Sequence, residues 1–425
     1  MSIIFLVRNY IPKANAVGVC VSHLSREFSM RGYSVTIICE KNDLKQIDKE
    51  QYEHEKVIRF ISKRTAKRLH YEQKLISTNR LRKCFYFIAL QCIRIENFLK
   101  AILSKSSIDN DLLNCFQQTL NCLSIASDDL IIPVSAPFES VYAVAKHKEN
   151  SNIDYCYIPL LYDLFKDCLF TNRGRFNRRI KFKENSKIEN YSFKQCDGII
   201  SLDSWKGKIK SKNNIHFVDV PLLVKYDANI KRTVEHDPEK NILVYCGNFS
   251  NSIRKPTFFV DFMTQLLSVK ANYELHLYGN GNQFKEIKKL HNRFPKQVFL
   301  HGFVEQSIVQ QVQACADCLI NVGNSNNDQI PSKIYNYMAM CKPIICLSNS
   351  INDLSLRTMS SYPLLISVVK DQHEGINQII KRIDTISSQT VSFQEIRSCL
   401  YRATPSYTVE ILLEYYRKKR QLNEQ

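Results

Sequence analysis

Gln329-Ile330-Pro331-Ser332-Lys333-Ile334-Tyr335-Asn336-Tyr337-Met338-Ala339-Met340-Cys341-Lys342-Pro343-Ile344-Ile345 runs from a polar loop through a helix start and a helix into a buried strand. Proline is tolerated at a helix start because the N–H it lacks would have no partner there. The pattern predicts a helix from Ser332 to Met340 and a strand from Pro343 to Leu347. Free amides at such a start suit an anion, and the dipole and the Lys333 charge act in the same direction. A Pro-Ser-Lys alone is simply a helix start, so its neighbours have to decide what it is for.

Those neighbours alternate strand and helix with regular spacing. Upstream, Ile242–Tyr245 reads as a strand ending at Gly247, Thr257 to Lys270 as a helix, and Glu274-Leu275-His276-Leu277-Tyr278 as a strand. Gly279-Asn280-Gly281 is a turn, Val298–His301 a strand, Glu305 to Cys315 a helix, and Cys318-Leu319-Ile320 a strand. Apolar strands joined by helices predict a parallel, doubly wound sheet. Toward the N-terminus, the polar stretch Lys225 to Lys240 marks a boundary, and a second βαβ pattern opens the chain. There Ile3–Val7 is a strand, a helix carries Val21, Leu24, Phe28 and Met30, Gly32 stops it, and Val35–Cys39 is the next strand. Lys56 to Leu123 reads as helices, and sheet resumes at Leu130–Val134, Asp154–Leu161 and Gly198–Ser201. An aromatic amphipathic helix, Tyr407 to Arg420, ends the chain. The expected architecture is α/β: a domain over 1–228 with a basic helical region at about 56–123, a domain over 229–403, and a C-terminal helix over 404–425. Ligand crevices belong at the strands' C-terminal ends.

The Pro-Ser-Lys block resembles the nucleotide-binding signature of the retaining GT-B glycosyltransferases of the family-4 type, in which an acid precedes a ribose-holding Glu by eight residues. Tyr278-Gly279-Asn280-Gly281, Gly302, Ala316-Asp317-Cys318-Leu319-Ile320, and Tyr245-Cys246-Gly247-Asn248-Phe249 with Arg254-Lys255-Pro256 resemble further landmarks of that family. So do Pro12 and Asn15-Ala16-Val17-Gly18 at the other end. The resemblance implies two facing Rossmann-like domains with the C-terminal helix packing back toward the first. It implies a nucleotide-sugar donor, most often UDP-linked, and a lipid-linked or oligosaccharide acceptor in bacterial surface-polysaccharide synthesis. Carried over position by position, Arg254 or Lys255 with Lys333 neutralises the leaving diphosphate. Pro331 and Ser332 shape an amide cradle, Gly18, Gly247 and Gly279 allow close approach, and Phe303 lies near the base. Asn336 stands at the ribose acid and Asp328 at the acid facing the donor sugar. Asp163 is a candidate for orienting the acceptor hydroxyl. Both members of the acid pair depart from the family pattern, and Asn336 cannot offer a charged carboxylate. A binding module without turnover, or one serving a partner transferase, and a GT-B sugar-nucleotide epimerase are therefore kept as alternatives.

Composition narrows the partners. The net charge is +18, with 44% hydrophobic and 24% charged residues, a globular composition that attracts anions. Between Lys56 and Lys105 there are 13 Lys or Arg against Glu72 and Glu96, interleaved with Phe85, Tyr86, Phe87 and Phe98. This run reads equally as an insert covering the sheet or as a surface for an anionic inner leaflet. No nucleic-acid recognition module is present, and no nucleic-acid partner is expected. The 15 cysteines sit largely in apolar runs, an arrangement of core thiols in a reducing cytoplasm. Cys315-Ala316-Asp317-Cys318 straddles a helix end and a strand and reads as core. Asp109-Asn110-Asp111 reads as a helix N-cap and not a metal motif. Neither a metal nor a cofactor is expected. The longest apolar run falls short of the ~20 residues that span a bilayer.

Overall fold

The computed structural model describes residues 1–166, 177–226, 239–250, 254–279, 284–324, 332–372 and 374–423. Backbone contacts divide the chain into two compact units: Met1–Pro221 with Pro405–Gln425, and Leu222–Thr404.

The first unit begins β1 (Ser2–Leu6), α1 (Ala16–Met30), β2 (Ser34–Glu40), β3 (Lys49–Tyr52), β4 (Glu55–Phe60), α2 (Lys63–Ser77), α3 (Arg80–Leu103) and α4 (Asn110–Asn121). It continues β5 (Leu130–Pro133), α5 (Glu139–Asn150), β6 (Cys156–Tyr157), β7 (Leu160–Leu161), α6 (Arg178–Lys194), β8 (Ile199–Leu202) and β9 (Ile215–Val218). One sheet runs β3-β4-β2-β1-β5-β6, and β7-β8-β9 form a second, with a parallel bridge from Val134 to Leu160 between them. All pairs are parallel except the β3–β4 hairpin.

Residues 56–60 correct the sequence reading: they belong to β4, paired with β2, and not to a helix. The alternation was hidden by buried polar residues that find partners only in the fold. Arg59 is 4% exposed and pairs with Glu50 across the hairpin. Glu55 accepts from the Tyr10 hydroxyl and from Ser25 Oγ, both at 2.7 Å. Met30, read as part of the apolar face of α1, is exposed because it is the last residue of the helix. Asp109 caps α4 as expected, accepting from the Asp111 amide at 3.1 Å and the Leu112 amide at 3.4 Å.

The second unit comprises β10 (Asn241–Cys246), α7 (Thr257–Val269), β11 (Tyr273–Tyr278), α8 (Phe284–Arg293), β12 (Val298–Gly302), α9 (Gln306–Cys315), β13 (Cys318–Val322), α10 (Lys333–Ala339) and β14 (Ile344–Ser348). Then come α11 (Leu354–Thr358), β15 (Leu365–Val369), α12 (Ile376–Ser387) and α13 (Phe393–Cys399). The sheet is wholly parallel, in the order β12-β11-β10-β13-β14-β15. That is the doubly wound order, and its switch point lies between β10 and β13. Strands covered on both faces must be apolar throughout, which is why Leu243, Leu275, Ile320, Ile345 and Ile366 all sit in one core with Phe259 and Met263 of α7. Cys315 and Cys318 are buried free thiols at the α9 end and the β13 start.

The last helix, α14 (Pro405–Asn423), belongs to the first unit and packs on α1. The Tyr415 ring lies so close to Gly198 that an added Cβ there would stand 2.4 Å from it. Lys419 bonds Asp154 at 2.9 Å and Asp197 at 3.1 Å, tying the helix to strand ends of this unit.

Candidate functional site

At the switch point of the second unit, the backbone after each strand is held in close register by glycine. Gly247 follows β10 and donates to the Tyr278 carbonyl at 2.8 Å. Gly279 follows β11 with φ at +137°, and a Cβ there would meet the Gly247 oxygen at 2.2 Å. No other residue tolerates both the conformation and the contact. A Cβ on Gly247 would itself lie 2.8 Å from Lys333 Nζ.

Lys333 is the first residue of α10, and its ammonium reaches back over the end of β10. It donates to the Cys246 carbonyl at 3.0 Å, lies 4.4 Å from the Tyr245 ring centroid and 5.7 Å from that of Tyr337. The Tyr337 hydroxyl accepts from the Cys246 amide at 3.0 Å, so the N–H and the carbonyl of Cys246 are each held by an α10 side chain. Arg254 donates to Asn324 Oδ1 at 2.8 Å, and residue 324 lies two past the end of β13. The two cations therefore stand at the two strands that flank the switch. Desolvation, then the charge of Arg254, holds the Lys333 amine well below its ordinary range. Among the described residues no carboxylate pairs with either cation.

Magnitudes say what the arrangement lacks. A cation–π contact contributes about 0.5–2 kcal/mol, while taking an ammonium out of water costs several kcal/mol. An arriving anion offsets that cost and favours the lysine's charged form. The helix itself is short, seven residues, and Ser332 makes no side-chain cap, so the charges and not a long dipole dominate.

The remaining expected residues are distributed unevenly. Lys255 is exposed beside Arg254, Ser332 is exposed, and Asn336 is half-buried one turn after Lys333. Phe303, just past β12, is 80% exposed. Asp328, Pro331 and the Asn280-Gly281 part of the turn lie outside the described residues.

The first unit presents different chemistry at its strand ends. Gly18 lies in the first turn of α1, where a Cβ would stand 2.2 Å from the Asn9 carbonyl, and its amide donates to the Asn15 cap at 2.9 Å. Asp163 follows β7. Its loop is held by Ser135, whose Oγ accepts from the Tyr162 amide at 2.9 Å and the Asp163 amide at 3.2 Å. Desolvation raises the Asp163 carboxyl even though the residue keeps solvent exposure.

Two further acids stand at strand ends of this unit that the sequence reading did not single out. Glu40 ends β2 and accepts from Arg8 Nε at 2.9 Å and from Ser62. Glu139 opens α5 and accepts from the Asp109 amide at 2.6 Å, and burial lifts it to about 7. Their one sequence signal was position: each directly follows, ends or closely trails an apolar strand run.

Residues 240–382 match the family described as glycosyl transferases group 1. No curated protein matches the chain. Among solved structures, sucrose-phosphate synthase from Thermosynechococcus elongatus is 13% identical with a TM-score of 0.61, covering 100% of this chain and 99% of its own. A trehalose-6-phosphate structure from E. coli bound with UDP-2-fluoro glucose is 9% identical with a TM-score of 0.55, covering 100% and 99%. The lipopolysaccharide outer core galactosyltransferase WaaB is 13% identical with a TM-score of 0.54, covering 99% and 100%. The fold is thus that of GT-B proteins, and a group 1 domain on that fold supports sugar transfer as the class of activity.

Proposed function

We propose that the chain transfers a sugar, with retention of anomeric configuration and without a metal, from a nucleoside-diphosphate sugar to a lipid-linked or oligosaccharide acceptor. The observation that carries this reading is the paired cations at the switch point. Lys333 stands against β10 and Arg254 against the β13 exit, both without a carboxylate among the described residues. As the glycosidic C–O bond to the donor breaks, negative charge builds on the leaving diphosphate, and fixed cations there lower the barrier. UDP is the favoured nucleotide because one structural neighbour was solved with UDP-2-fluoro glucose. The Phe303 face is suited to a base, and Asn336 to a ribose hydroxyl. In the first unit, Asp163 and Glu139 would receive and orient the acceptor hydroxyl, and as its oxygen bonds the anomeric carbon its proton passes to the departing diphosphate oxygen. Free thiols throughout the described residues fit a reducing cytoplasm as the working compartment.

Calorimetry of the full chain with UDP, GDP, ADP and their sugar conjugates, alongside a release assay for the free diphosphate, tests the proposal. Binding of one sugar nucleotide together with transfer or slow hydrolysis supports it. Binding without any turnover favours the second reading, a nucleotide-sugar-binding module. Asn336, at the position where the resembling family carries an acid, is the residue that favours that alternative.

A further inference from the structure

Three neighbouring strands of the second unit set a row of polar side chains at the switch point. Val244 of β10 pairs with Leu319 of β13, and two residues further along both strands Cys246 comes beside Asn321. Asn321 in turn pairs with Cys346 of β14. Paired residues of a parallel sheet point to one face. This face is turned away from the core around Phe259 and Met263, which takes the alternate residues Tyr245, Ile320 and Ile345. Helix α9 packs on β10 and brings Gln313 to the same place, where its side chain hydrogen-bonds the Cys246 thiol. Asn321 is fully buried and Gln313 is 3% exposed. The Asn321 amide donates to Cys346 Sγ at 3.5 Å, yet its Oδ1 and the Gln313 Oε1 have no partner among the described residues. A buried carbonyl oxygen left without a donor carries the full cost of its lost water. Two of them in one place call for a reason.

Lys333 supplies one. Its ammonium holds the Cys246 carbonyl at 3.0 Å, and its charge reaches both thiols of the row, Cys246 and Cys346. The other titratable groups around it are Tyr245 of β10, Tyr337 of its own helix and Arg254. None of these is an anion at neutral pH, because burial pushes both thiols and both phenols up. A buried ammonium beside a second cation needs electronegative neighbours. A carboxylate in that role would cancel the charge that a phosphate is to meet. Neutral carbonyl dipoles support the ammonium without cancelling it. We propose that Asn321 Oδ1 and Gln313 Oε1 form a buried electronegative wall that seats the Lys333 ammonium for an incoming phosphate. Both are then positioning residues. The identity of the phosphate rests on the sugar-transfer reading; the seating of the lysine does not.

The test reads Lys333 directly in the full chain, through the pH dependence of its acetylation by acetic anhydride, followed by peptide mass spectrometry. Asn321→Leu removes one acceptor, and the labelling midpoint should fall by roughly one pH unit because the charged form loses support. Gln313→Met, near-isosteric and on a helix, should move it the same way and serves if Asn321→Leu does not fold. Tm should hold or rise in both, since an apolar group replaces an unpaired buried polar one. Above the wild-type midpoint, UDP and inorganic pyrophosphate should each bind about 10-fold more weakly to the variants, one unit being a tenfold change in the charged fraction. An unchanged midpoint in both variants overturns the proposal and leaves the two amides as packing. Anion binding that is absent, or unchanged while the midpoint moves, overturns it as well. A shifted midpoint with weakened pyrophosphate binding, in a chain that binds no nucleotide, upholds the wall and removes the nucleotide-sugar reading instead.

Discussion

The crevice ends of the two units are built on the same plan and carry opposite chemistry. Each is the C-terminal edge of a largely parallel sheet, and in each a glycine lets one backbone approach another: Gly18 against Asn9, Gly279 against Gly247. In the second unit the groups at that edge are Lys333 and Arg254, cations without a carboxylate among the described residues. In the first they are Glu40, Glu139 and Asp163, acids with Arg8 beside Glu40. Shared architecture fixes where a ligand goes, and the side chains decide which ligand. On the proposed function, phosphate belongs in one crevice and a hydroxyl that must lose a proton in the other.

The comparison breaks most visibly at the cations. Lys333→Ala or Arg254→Ala should lower transfer by about 10²–10³, the usual cost of one preorganised charge-stabilising group, and should weaken nucleotide affinity in calorimetry. Wild-type behaviour in both would remove the phosphate assignment.

The next effect belongs to the acid side. Burial holds Glu139 near 7 in the folded state against an ordinary value of 4.5. Between those values the folded chain keeps a proton that the unfolded chain releases. This contribution is therefore full below about pH 4.5 and is lost as pH rises toward 7, by about 3 kcal/mol at ~1.4 kcal/mol per unit. Glu139→Gln keeps the acceptor for the Asp109 amide and removes the titration, so its denaturation midpoint should vary less over that window. An unchanged slope would mean the carboxyl is not buried as described.

Glycine substitutions sharpen the shared part of the plan. Gly279→Ala and Gly18→Ala should each cost roughly 1–3 kcal/mol, because both force a backbone shift. Gly279→Ala should cost more, since it also requires a positive φ that alanine disfavours. Thermal or urea melts of the two variants make the measurement. The smallest effect should come from Asp163→Asn, since Asp163 is proposed only to orient the acceptor: turnover reduced several-fold, with UDP affinity untouched. A loss of UDP affinity there would blur the division between the crevices.

How much of this was legible beforehand depends on what surrounds each residue in sequence. The second unit could be read because its strands are buried on both faces and stay apolar from end to end, as in Leu243-Val244-Tyr245 and Ile344-Ile345. The Pro-Ser-Lys segment stood out because proline, a cap residue and a cation occur together at a helix start. The first unit was harder. Its β4 holds Arg59 and Glu55 inside the sheet, satisfied by Glu50, Tyr10 and Ser25 from 9 to 45 residues away, and local periodicity carries no trace of such pairs. The acids Glu40 and Glu139 likewise carry no local signal that sets them apart from other acids.

By itself, then, the sequence determined the α/β class, the alternation that makes a parallel sheet, and the segment that bears Lys333. These follow from hydrophobic period and backbone chemistry, which act between near neighbours in the chain. Only the tertiary structure decided that β10 and β13 lie side by side, so that Lys333 meets Cys246 and Arg254 meets Asn324. It alone buried Glu139 and set Asn321 in one row with Cys246 and Cys346. Burial and pairing are properties of what the chain brings together across tens of residues, and desolvation turns that proximity into chemistry.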